Sequence, residues 1–158
     1  MSFRSAGILL YRRRAGRIEV LLVHPGGPFW AKRDLGAWSI PKGEFGAGEE
    51  PEAAARREFA EELGAEVAVP LIPLGDVRQK GGKVVVAFAA GGDFEPATMQ
   101  SNMFEMEWPP RSGRKQTFPE VDRAEWFDLD SAREKIIAGQ LPLLDRLERI
   151  LPDDGRDN

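Results

Sequence analysis

The sequence predicts an α+β fold for this chain. Segments with strand character and segments with helix character are mixed along its 158 residues, without the regular alternation of a parallel α/β protein. Hydrophobic residues make up 42% and charged residues 30% of the chain, which is typical of a globular protein with a core. The length suits one domain, which we expect at residues 1–151, and the polar tail PDDGRDN, residues 152–158, is predicted to be disordered.

The N-terminal part is predicted to contain two strands joined by a tight basic turn. Residues Phe3 to Tyr11 and Ile18 to Val23 are compact apolar runs, and Gly16 lies in the segment RRRAGR between them. The next segment, HPGGPFWAKRDLGAW at residues 24–38, is rich in glycine and proline and is predicted to be an exposed, functional loop. A short strand around Trp38 to Ile40 is expected at its end.

The middle of the chain is predicted to form a short amphipathic helix. Pro51 suits a first helical turn, and Gly64 suits the residue at which a helix stops. Ala55, Phe59 and Leu63 recur at steps of four residues, so one apolar stripe of this helix faces a core.

Further strands are predicted after this helix. Residues Leu71 to Gln79 and Lys83 to Ala90 have strand character on either side of the turn KGG, and Met103 to Trp108 is a third such segment. The basic segment PPRSGRKQTFP, residues 109–119, is rich in chain-breaking residues and is predicted to be a loop. A strand that contains Trp126 is expected after it.

Two helices are predicted at the C-terminal end. Asp130 suits the N-cap of a helix that runs to about Ala138. A final amphipathic helix is indicated by the leucines Leu143, Leu144, Leu147 and Leu151. Trp38 and Trp126 fall in strand-like segments and are expected in the core.

The composition excludes several classes of function. Lys plus Arg number 22 and Asp plus Glu 26, a formal net charge of −4, so a nucleic-acid polymer is not an expected partner. The chain has no cysteine, which excludes disulfides, thiolate metal sites and cysteine nucleophiles and suits a reducing cytoplasm. The apolar run near the N-terminus is too short for a signal peptide or a membrane span, so we expect a cytoplasmic protein without a membrane partner.

The stretch GEFGAGEEPEAAARREFAEELGA, residues 43–65, concentrates carboxylates on the predicted helix. Glu58 and Glu62 lie about 40° apart on a helix, and Glu58 and Glu61 about 60° apart, so the three side chains share one face. Like charges at this spacing repel, whereas a hard cation such as Mg²⁺ binds carboxylate oxygens and shares its shell with substrate phosphates. Arg57 suits a bidentate contact that orients one carboxylate. The competing interpretation is an ordinary solvated helix face.

The spacing of this stretch resembles the Nudix box, the signature of the Nudix hydrolase family, position for position. The residues that carry the resemblance are Gly43, Glu49, Arg57, Glu58, Phe59, Glu61, Glu62, Gly64 and Ala65. The resemblance implies the Nudix fold, an α/β/α sandwich around a central mixed sheet, over a single domain at residues 1–151. It also implies hydrolysis of a nucleoside diphosphate linked to another group, with Mg²⁺ as the cofactor and Mn²⁺ as an alternative.

The resemblance implies a role for each charged position of the box. Glu58 and Glu62 would be the principal metal ligands, Glu61 a further ligand, and the carbonyl of Gly43 an additional one. Arg57 would orient Glu58 for catalysis. Glu49 would support the loop by bridging toward Arg57.

The residue that accepts the proton of the attacking water varies within the family. Glu58 and Glu61 are candidates within the box. The segment EVDRAEW resembles the place where relatives carry an additional metal-binding or basic glutamate, which nominates Glu120, with Asp122 as an alternative. For His24 we favour a structural role, with a base as the second interpretation.

The residues around the box point to a substrate class. Lys42 precedes Gly43, and the sequence Pro-Lys-Gly is similar to Nudix branches that hydrolyse dinucleoside polyphosphates and diphosphoinositol polyphosphates. Longer stretches resemble a bacterial branch akin to diadenosine tetraphosphate hydrolases and predicted nucleoside triphosphate pyrophosphohydrolases. Diadenosine tetraphosphate is therefore the first expected substrate. Lys42 would contact its extra phosphates as a point charge.

Residues of the flanking loops are further candidates for substrate binding. Trp30 or Phe29 could stack on a purine base. Cations of two loops could contact distal phosphates, and these are Lys32, Arg33, Arg111, Arg114 and Lys115.

Two other functional interpretations of the box remain open. One is cleavage of another substrate: a nucleoside triphosphate, to the monophosphate and pyrophosphate, or a diphosphoinositol polyphosphate, which the acidic balance of the chain disfavours. The other is a non-catalytic nucleotide-sensing module, although such modules can have degraded boxes and this one is intact. No pattern in the sequence addresses the oligomeric state.

Overall fold

The computed structural model describes residues 4–151. Its elements are β1 (Arg4–Arg14), β2 (Arg17–Pro25), β3 (Lys42–Glu44), α1 (Pro51–Leu63), β4 (Ile72–Arg78), β5 (Val84–Gly91), β6 (Met103–Glu107), β7 (Lys115–Pro119), β8 (Val121–Asp128), α2 (Leu129–Lys135) and α3 (Leu141–Ile150). Short 3-10 turns connect some of them, at Lys80–Gly82, Pro96–Thr98 and Ala138–Gln140. The predicted strand residue Phe3 and the predicted disordered tail at 152–158 lie outside the described residues.

The first two strands form the predicted basic hairpin. Ala15 and Gly16 connect them, and both have positive φ, 53° and 78°. Two successive positive φ angles are typical of the two-residue turns whose twist matches that of paired strands. The turn therefore sets the register in which β1 pairs with β2.

A mixed sheet of six strands is the centre of the fold. The strand order is β4-β5-β1-β2-β8, and β3 pairs with the N-terminal part of β1 on the side where β2 pairs with its C-terminal part. β1 and β5 are parallel, and the other neighbours are antiparallel. The predicted α+β class, with a central mixed sheet between helices, is confirmed.

Helices cover both faces of this sheet because side chains alternate along the central strands. Ile8 and Leu10 of β1 belong to the core cluster that contains the α1 residues Phe59 and Leu63. Leu9 belongs to the second cluster, on the other face, together with buried residues of α2 and α3. Burial of each such Leu or Phe side chain stabilises the folded chain by roughly 1.5–3 kcal/mol. The layers are therefore α/β/α.

Helix α1 begins and ends where the sequence predicts. Pro51 is its first residue, and Gly64 caps its end in the left-handed conformation with φ 76° and ψ 18°. The Gly64 backbone N–H donates to the carbonyl of Ala60, which closes the last turn. The apolar stripe of the helix is buried against the sheet, and the carboxylates beside the stripe are half-buried.

The predicted strand around Trp38 to Ile40 is wrong in position. Trp38 and Ser39 form only isolated bridges, and the regular strand is β3, Lys42–Glu44. The backbone N–H of Ile40 donates to the side chain of the buried Gln140 at 3.0 Å instead of to a neighbouring strand. A side chain 100 residues away thus replaces the ladder bond that the local pattern predicts.

The segment predicted as a loop at residues 109–119 is partly a strand. Its second half is β7, which pairs with β6 as a separate two-stranded sheet, with Met103 opposite Pro119 and Glu107 opposite Lys115. Most β7 side chains are exposed. The strand therefore lacks the apolar alternation that would identify it, and the pairing with β6 defines it.

The N-cap of α2 is also two residues earlier than predicted. Asp128, not Asp130, accepts a hydrogen bond from the backbone N–H of Ser131 at 2.8 Å. The helix ends at Lys135, because Ile136 is extended, and does not continue to Ala138. Either aspartate could cap a helix in this segment. Asp128 is the cap because β8 ends there and α2 begins at the next residue.

The two tryptophans predicted for the core differ in burial. Trp38 is buried, with 1% of its surface exposed. Trp126 is only partly buried: it packs against the α1-side cluster, donates from its indole N–H to the carbonyl of Phe94, and lies under the guanidinium of Arg12 at 4.0 Å. Within residues 4–151, no helix has the length and apolar character needed to cross a membrane.

Candidate active site

Carboxylates from separate parts of the chain surround one open cavity of about 480 Å³. Its lining consists of Lys42, Gly43, Glu44, Glu58, Glu61, Glu62, Asn102 and Glu120. Strand β3 forms one side, the half-buried carboxylate face of α1 another, and the residues that flank the β6-β7 hairpin a third. The three glutamates that share a helix face by sequence therefore share one cavity in the structure.

Gly43 lies directly against the carboxylate of Glu58. A Cβ atom built on Gly43 would stand 1.9 Å from Glu58 Oε1 and 2.0 Å from Cδ. No side chain fits at this position while Glu58 keeps its conformation. The glycine thus brings the backbone of β3 to the first carboxylate of the helix.

Arg57 connects the carboxylates on the helix to the preceding loop. Its Nε and Nη2 donate to the two carboxylate oxygens of Glu49, each at 2.9 Å. Its Nη1 donates to Glu58 Oε2 at 2.7 Å and contacts Glu61 at 3.2 Å. Its Nη2 also contacts the carbonyl of Glu44 at 3.4 Å. One guanidinium therefore holds two helix carboxylates and fixes the loop that leads into the helix.

The electrostatics of the cavity follow from burial and from crowding of like charges. Burial raises the pKa of Glu62 to about 8, with a further contribution from Glu58 and an opposing one from Lys42. Burial also raises the pKa of Glu58, against the hydrogen bond from Arg57. The pKa of Lys42 is lowered, mainly by burial. Burial and the crowding of like charges thus oppose ionisation of Glu58 and Glu62, and a bound cation would favour their charged forms.

The donor set suits a hard divalent cation. Carboxylate oxygens are the ligands that Mg²⁺ prefers, and an excess of partly buried carboxylates is stabilised by a positive ion. Among the residues that the structure describes, no three Asp, Glu or His side chains converge as a ready-made metal cluster. The contacts with Arg57 explain this for Glu58 and Glu61, because both carboxylates turn toward its guanidinium.

Glu120 reaches the cavity from outside the box. It immediately precedes β8, and its backbone N–H donates to the carbonyl of Asn102 at 2.8 Å. Its carbonyl accepts a hydrogen bond from the backbone N–H of Gly26 at 2.9 Å. These bonds fix the chain on both sides of the residue. Of the two candidates in this segment, the structure brings Glu120 to the cavity.

Asp122 and His24 contact each other away from the cavity lining. His24 is fully buried, and its Nδ1 lies 2.9 Å from Asp122 Oδ1 while its Nε2 lies 2.6 Å from the carbonyl of Arg33. Both ring nitrogens are therefore engaged, as is the Asp122 carboxylate. This arrangement supports a structural role for His24 and leaves Glu120 as the free carboxylate of this segment at the cavity.

The loop residues proposed for substrate binding do not line the cavity. Trp30 is partly buried against the core cluster on the α2 and α3 side, and Arg33 lies over its ring at 5.5 Å. Lys32 is exposed. Phe29 is also exposed and contacts Trp108. The three cations Arg111, Arg114 and Lys115 are exposed near the tip of the β6-β7 hairpin.

Asn102 and Glu44 are cavity residues that sequence reasoning missed. The backbone N–H of Asn102 donates to the carbonyl of Glu61 at 2.9 Å, so this residue connects the end of α1 to Glu120. It lies in the irregular segment before β6, where no local pattern marks it. Glu44 is adjacent to Gly43, and its inclusion follows only from the pairing of β3 with β1.

Comparisons with known proteins agree with this geometry. The family model of the NUDIX domain matches residues 1–147. An RNA pyrophosphohydrolase of Gluconacetobacter diazotrophicus is 30% identical over 138 residues, which cover 85% of this chain and 77% of that protein. An octanoyltransferase of Myxococcus xanthus is 32% identical over 133 residues, 84% of this chain. The chain spans only 33% of the length of that Myxococcus protein.

Solved structures share the fold. The Ap4A hydrolase of C. elegans in a binary complex is similar with a TM-score of 0.64 and 26% identity, over 93% of this chain and 96% of that one. The NUDIX domain of Shewanella oneidensis NrtR, solved with ADP ribose, has a TM-score of 0.65 over 96% of this chain and 90% of that one. At 19% identity, the second likeness concerns the fold alone.

Proposed function

This chain belongs to the NUDIX domain family, and we propose that it is a divalent-metal-dependent pyrophosphohydrolase of a dinucleoside polyphosphate such as diadenosine tetraphosphate. The observation that carries the proposal is the single cavity shared by Glu58, Glu61, Glu62 and Glu120, with Glu58 held between Gly43 and Arg57. Hydrolysis of a phosphoanhydride requires neutralised phosphate charge, a placed water molecule and a base. The carboxylates of this cavity would hold the cation that neutralises the charge and orients the water, and one of them would accept the proton.

Glu58, Glu61 and Glu62, with the carbonyl of Gly43, are the groups that would hold Mg²⁺, with Mn²⁺ as the alternative ion. When bound, such an ion neutralises phosphate oxygens and makes water more acidic. Arg57 fixes the orientation of the Glu58 carboxylate through the 2.7 Å hydrogen bond. Glu49, in a bidentate contact with Arg57, keeps that guanidinium in place. Arg57 and Glu49 thus act by positioning the Glu58 carboxylate.

Glu120 is the proposed base. It lies at the cavity but on a different segment from the helix carboxylates. The carboxylates that pair with Arg57 are those of Glu49, Glu58 and Glu61, and Glu120 is not one of them. It would accept one proton of the attacking water while the oxygen of that water bonds to phosphorus. The bridging oxygen leaves with the other product. Diadenosine tetraphosphate and one water thus yield ATP and AMP.

Two observations favour a substrate with several phosphates. Lys42 lines the cavity next to Gly43 and offers a charge to phosphates beside the cleaved bond. The similarity to the C. elegans Ap4A hydrolase extends over nearly the whole of both chains. Nucleoside triphosphates, cleaved to the monophosphate and pyrophosphate, are the closest alternative class.

A second candidate activity is removal of pyrophosphate from the 5′ end of RNA. The observation that favours it is the similarity to RNA pyrophosphohydrolases, including one from Rhodospirillum rubrum that is 40% identical over 70 residues. That match covers 42% of this chain and 41% of the Rhodospirillum protein. The net charge of −4 disfavours a polyanionic polymer.

A panel assay separates these activities. The purified chain with Mg²⁺ is incubated with diadenosine tetraphosphate, the four nucleoside triphosphates and a 5′-triphosphorylated RNA oligonucleotide, and products are identified by mass. Asymmetric cleavage to ATP and AMP at the highest kcat/KM supports the proposal. Preferential release of pyrophosphate from the RNA supports the second candidate. Tight binding of a nucleotide with no turnover of any compound contradicts both and indicates a sensing module.

A further inference from the structure

We propose that Phe29 and Trp108 form a stacking site for the nucleobase that lies farther from the cleaved anhydride bond. We call this pair the aromatic step. The proposal rests on the proposed function, because it assigns a binding site to the second nucleoside of the same substrate. It concerns two segments that no part of the Nudix box includes: the loop at residues 26–37 and the hairpin formed by β6 and β7.

The 26–37 loop approaches the hairpin at the point where Glu120 enters the cavity. The backbone N–H of Gly26 donates to the carbonyl of Glu120, and a Cβ atom on Gly26 would stand 2.0 Å from the carbonyl oxygen of Pro119. Gly27 has a φ of 93°, and a Cβ there would be 3.1 Å from the ring of Phe104. The two glycines therefore allow a contact that no larger residue would permit.

Three residues after Gly26, Phe29 contacts Trp108 edge to face. The ring centroids are 5.3 Å apart and the planes meet at 79°. Phe29 nevertheless remains 62% exposed, which is unusual for a residue type that is among the most often buried. A T-shaped pair covers one edge of a ring and leaves ring faces open, and every nucleobase offers a face to stack on them.

The remainder of the loop is anchored, so the exposed ring is presented on a fixed segment. His24 contacts the carbonyl of Arg33 at 2.6 Å, and Asp34 accepts a hydrogen bond from the indole N–H of Trp38 at 2.8 Å. Lys135 of α2 pairs with the same aspartate. Trp30, the neighbour of Phe29, packs against the core instead. A fixed exposed ring binds a base without a large ordering cost.

The distance of the aromatic step from the cavity indicates that it binds the nucleobase farther from the cleaved bond. Asn102 and Glu120 flank the hairpin at the cavity, and Trp108 follows the far end of β6. Five residues of extended strand separate these ends, which is roughly 17 Å. A base at this distance is separated from the reacting phosphate by further phosphates. The occupant that fits is the second nucleoside of a dinucleoside polyphosphate.

The contact has a purely structural alternative. An isolated two-stranded hairpin is marginally stable in water, and the edge contact with Phe29 could serve only to hold it in place. In that case, removal of Phe29 would impair every substrate alike. Discrimination between substrates with and without a second base therefore distinguishes the two roles.

The test compares diadenosine tetraphosphate with adenosine 5′-tetraphosphate, which lacks the second nucleoside. Phe29→Ala is expected to raise KM for the dinucleotide about 10-fold, at nearly unchanged kcat, as expected for the loss of one base stack. KM for adenosine tetraphosphate should change less than about 2-fold. Leu35→Ala is the matched control, because Leu35 is another highly exposed apolar residue of the same loop, at 70%. Parallel changes with both substrates, or no change, would overturn the proposal.

Binding is measured separately so that failure of the proposed function is recognised. Tryptophan fluorescence of the chain is titrated with each compound under conditions of no turnover, in the Glu58→Gln variant. Quenching by the dinucleotide that exceeds quenching by adenosine tetraphosphate, and that is lost in Trp108→Phe, supports the site even if no hydrolysis occurs. Quenching by a 5′-triphosphorylated RNA alone would assign the step to RNA and contradict the proposal.

Discussion

The carboxylate of Glu58 occupies the space that a side chain at position 43 would need. The glycine on β3 and the glutamate on α1 are 15 positions apart in sequence, yet a Cβ atom on the first would overlap Oε1 of the second at 1.9 Å. Antiparallel pairing of β3 with β1 and packing of α1 on the sheet produce this contact. The position of Glu58 thus depends on the absence of a side chain across the cavity.

Gly43→Ala should therefore displace Glu58 and lower kcat/KM by about 100-fold or more, since a shift of about 1 Å in a catalytic group can have that effect. The melting temperature should change little, because the cavity is open. Gly46→Ala is the control: a Cβ there meets nothing within 4 Å. Steady-state kinetics and circular dichroism melting of both variants measure the effects. Wild-type activity in Gly43→Ala would contradict the role of this contact.

Replacement of the metal-ligand candidates should abolish metal-dependent hydrolysis. For Glu58→Gln and Glu62→Gln we expect losses in kcat greater than the 10- to 100-fold typical of supporting residues, without unfolding. Isothermal titration with Mg²⁺ should show weakened binding in both. Glu50→Gln, in the same box but exposed and without a side-chain capping bond, should retain wild-type values. Normal turnover in both ligand variants would refute the site.

Arg57→Lys should lower activity about 10- to 100-fold, because an ammonium group cannot hold Glu49 and Glu58 at once in the geometry of a guanidinium. The free energy of unfolding should fall by only about 1 kcal/mol or less, since both partners of the Glu49 pair are about one third exposed. Arg56→Lys, at the adjacent position and bonded to Val67 and Glu52, is the matched control. Equal effects of the two substitutions would contradict the positioning role.

The stability of the metal-free protein should decrease as the pH rises from about 4.5 to about 8. Folding raises the pKa of Glu62 from 4.5 to about 8, so in this window the folded chain keeps a proton that the unfolded chain releases. Each pKa unit of difference corresponds to about 1.4 kcal/mol. Mg²⁺ must displace this proton, and its stabilising effect should therefore be larger at pH 9 than at pH 6.

Urea unfolding between pH 5 and pH 9, with EDTA and with Mg²⁺, measures this dependence. Glu62→Gln removes the titrating group and should flatten the decline in the metal-free protein. A decline of the same slope in that variant would assign the effect to other groups, of which Glu58 is the first candidate because its pKa is also raised.

Glu120→Gln and Asp122→Asn should have different effects. Glu120 lines the cavity, so its loss should lower kcat. Asp122 contacts buried His24, and its replacement should act on the free energy of unfolding through that contact. Measurements of kcat and of urea unfolding separate the two outcomes. A larger loss of kcat in Asp122→Asn would reverse the assignment of the base.

Local sequence patterns were sufficient to predict the elements whose residues bury an apolar stripe. Helix α1 has both ends where Pro51 and Gly64 predict them, because a helix is stabilised by bonds within the segment itself. The hairpin of β1 and β2 follows for the same reason from its two-residue turn. By contrast, β7 is polar and is defined by β6, so its own residues do not identify it.

The candidate site likewise contains residues that local sequence predicts and residues that only the tertiary structure brings together. The spacing of Glu58, Glu61 and Glu62 is a property of one helix, and the sequence alone places them on a common face. Asn102 and Glu120 join them only because strand pairing and the hairpin bring distant segments to the same cavity. The same long-range contacts pack Trp30 against the core and leave Phe29 exposed beside Trp108, although Trp30 and Phe29 are neighbours in sequence. Sequence periodicity determines the secondary structure of a segment and which of its side chains share a face. Packing between segments determines which distant residues meet at the cavity and which aromatic residues stay exposed.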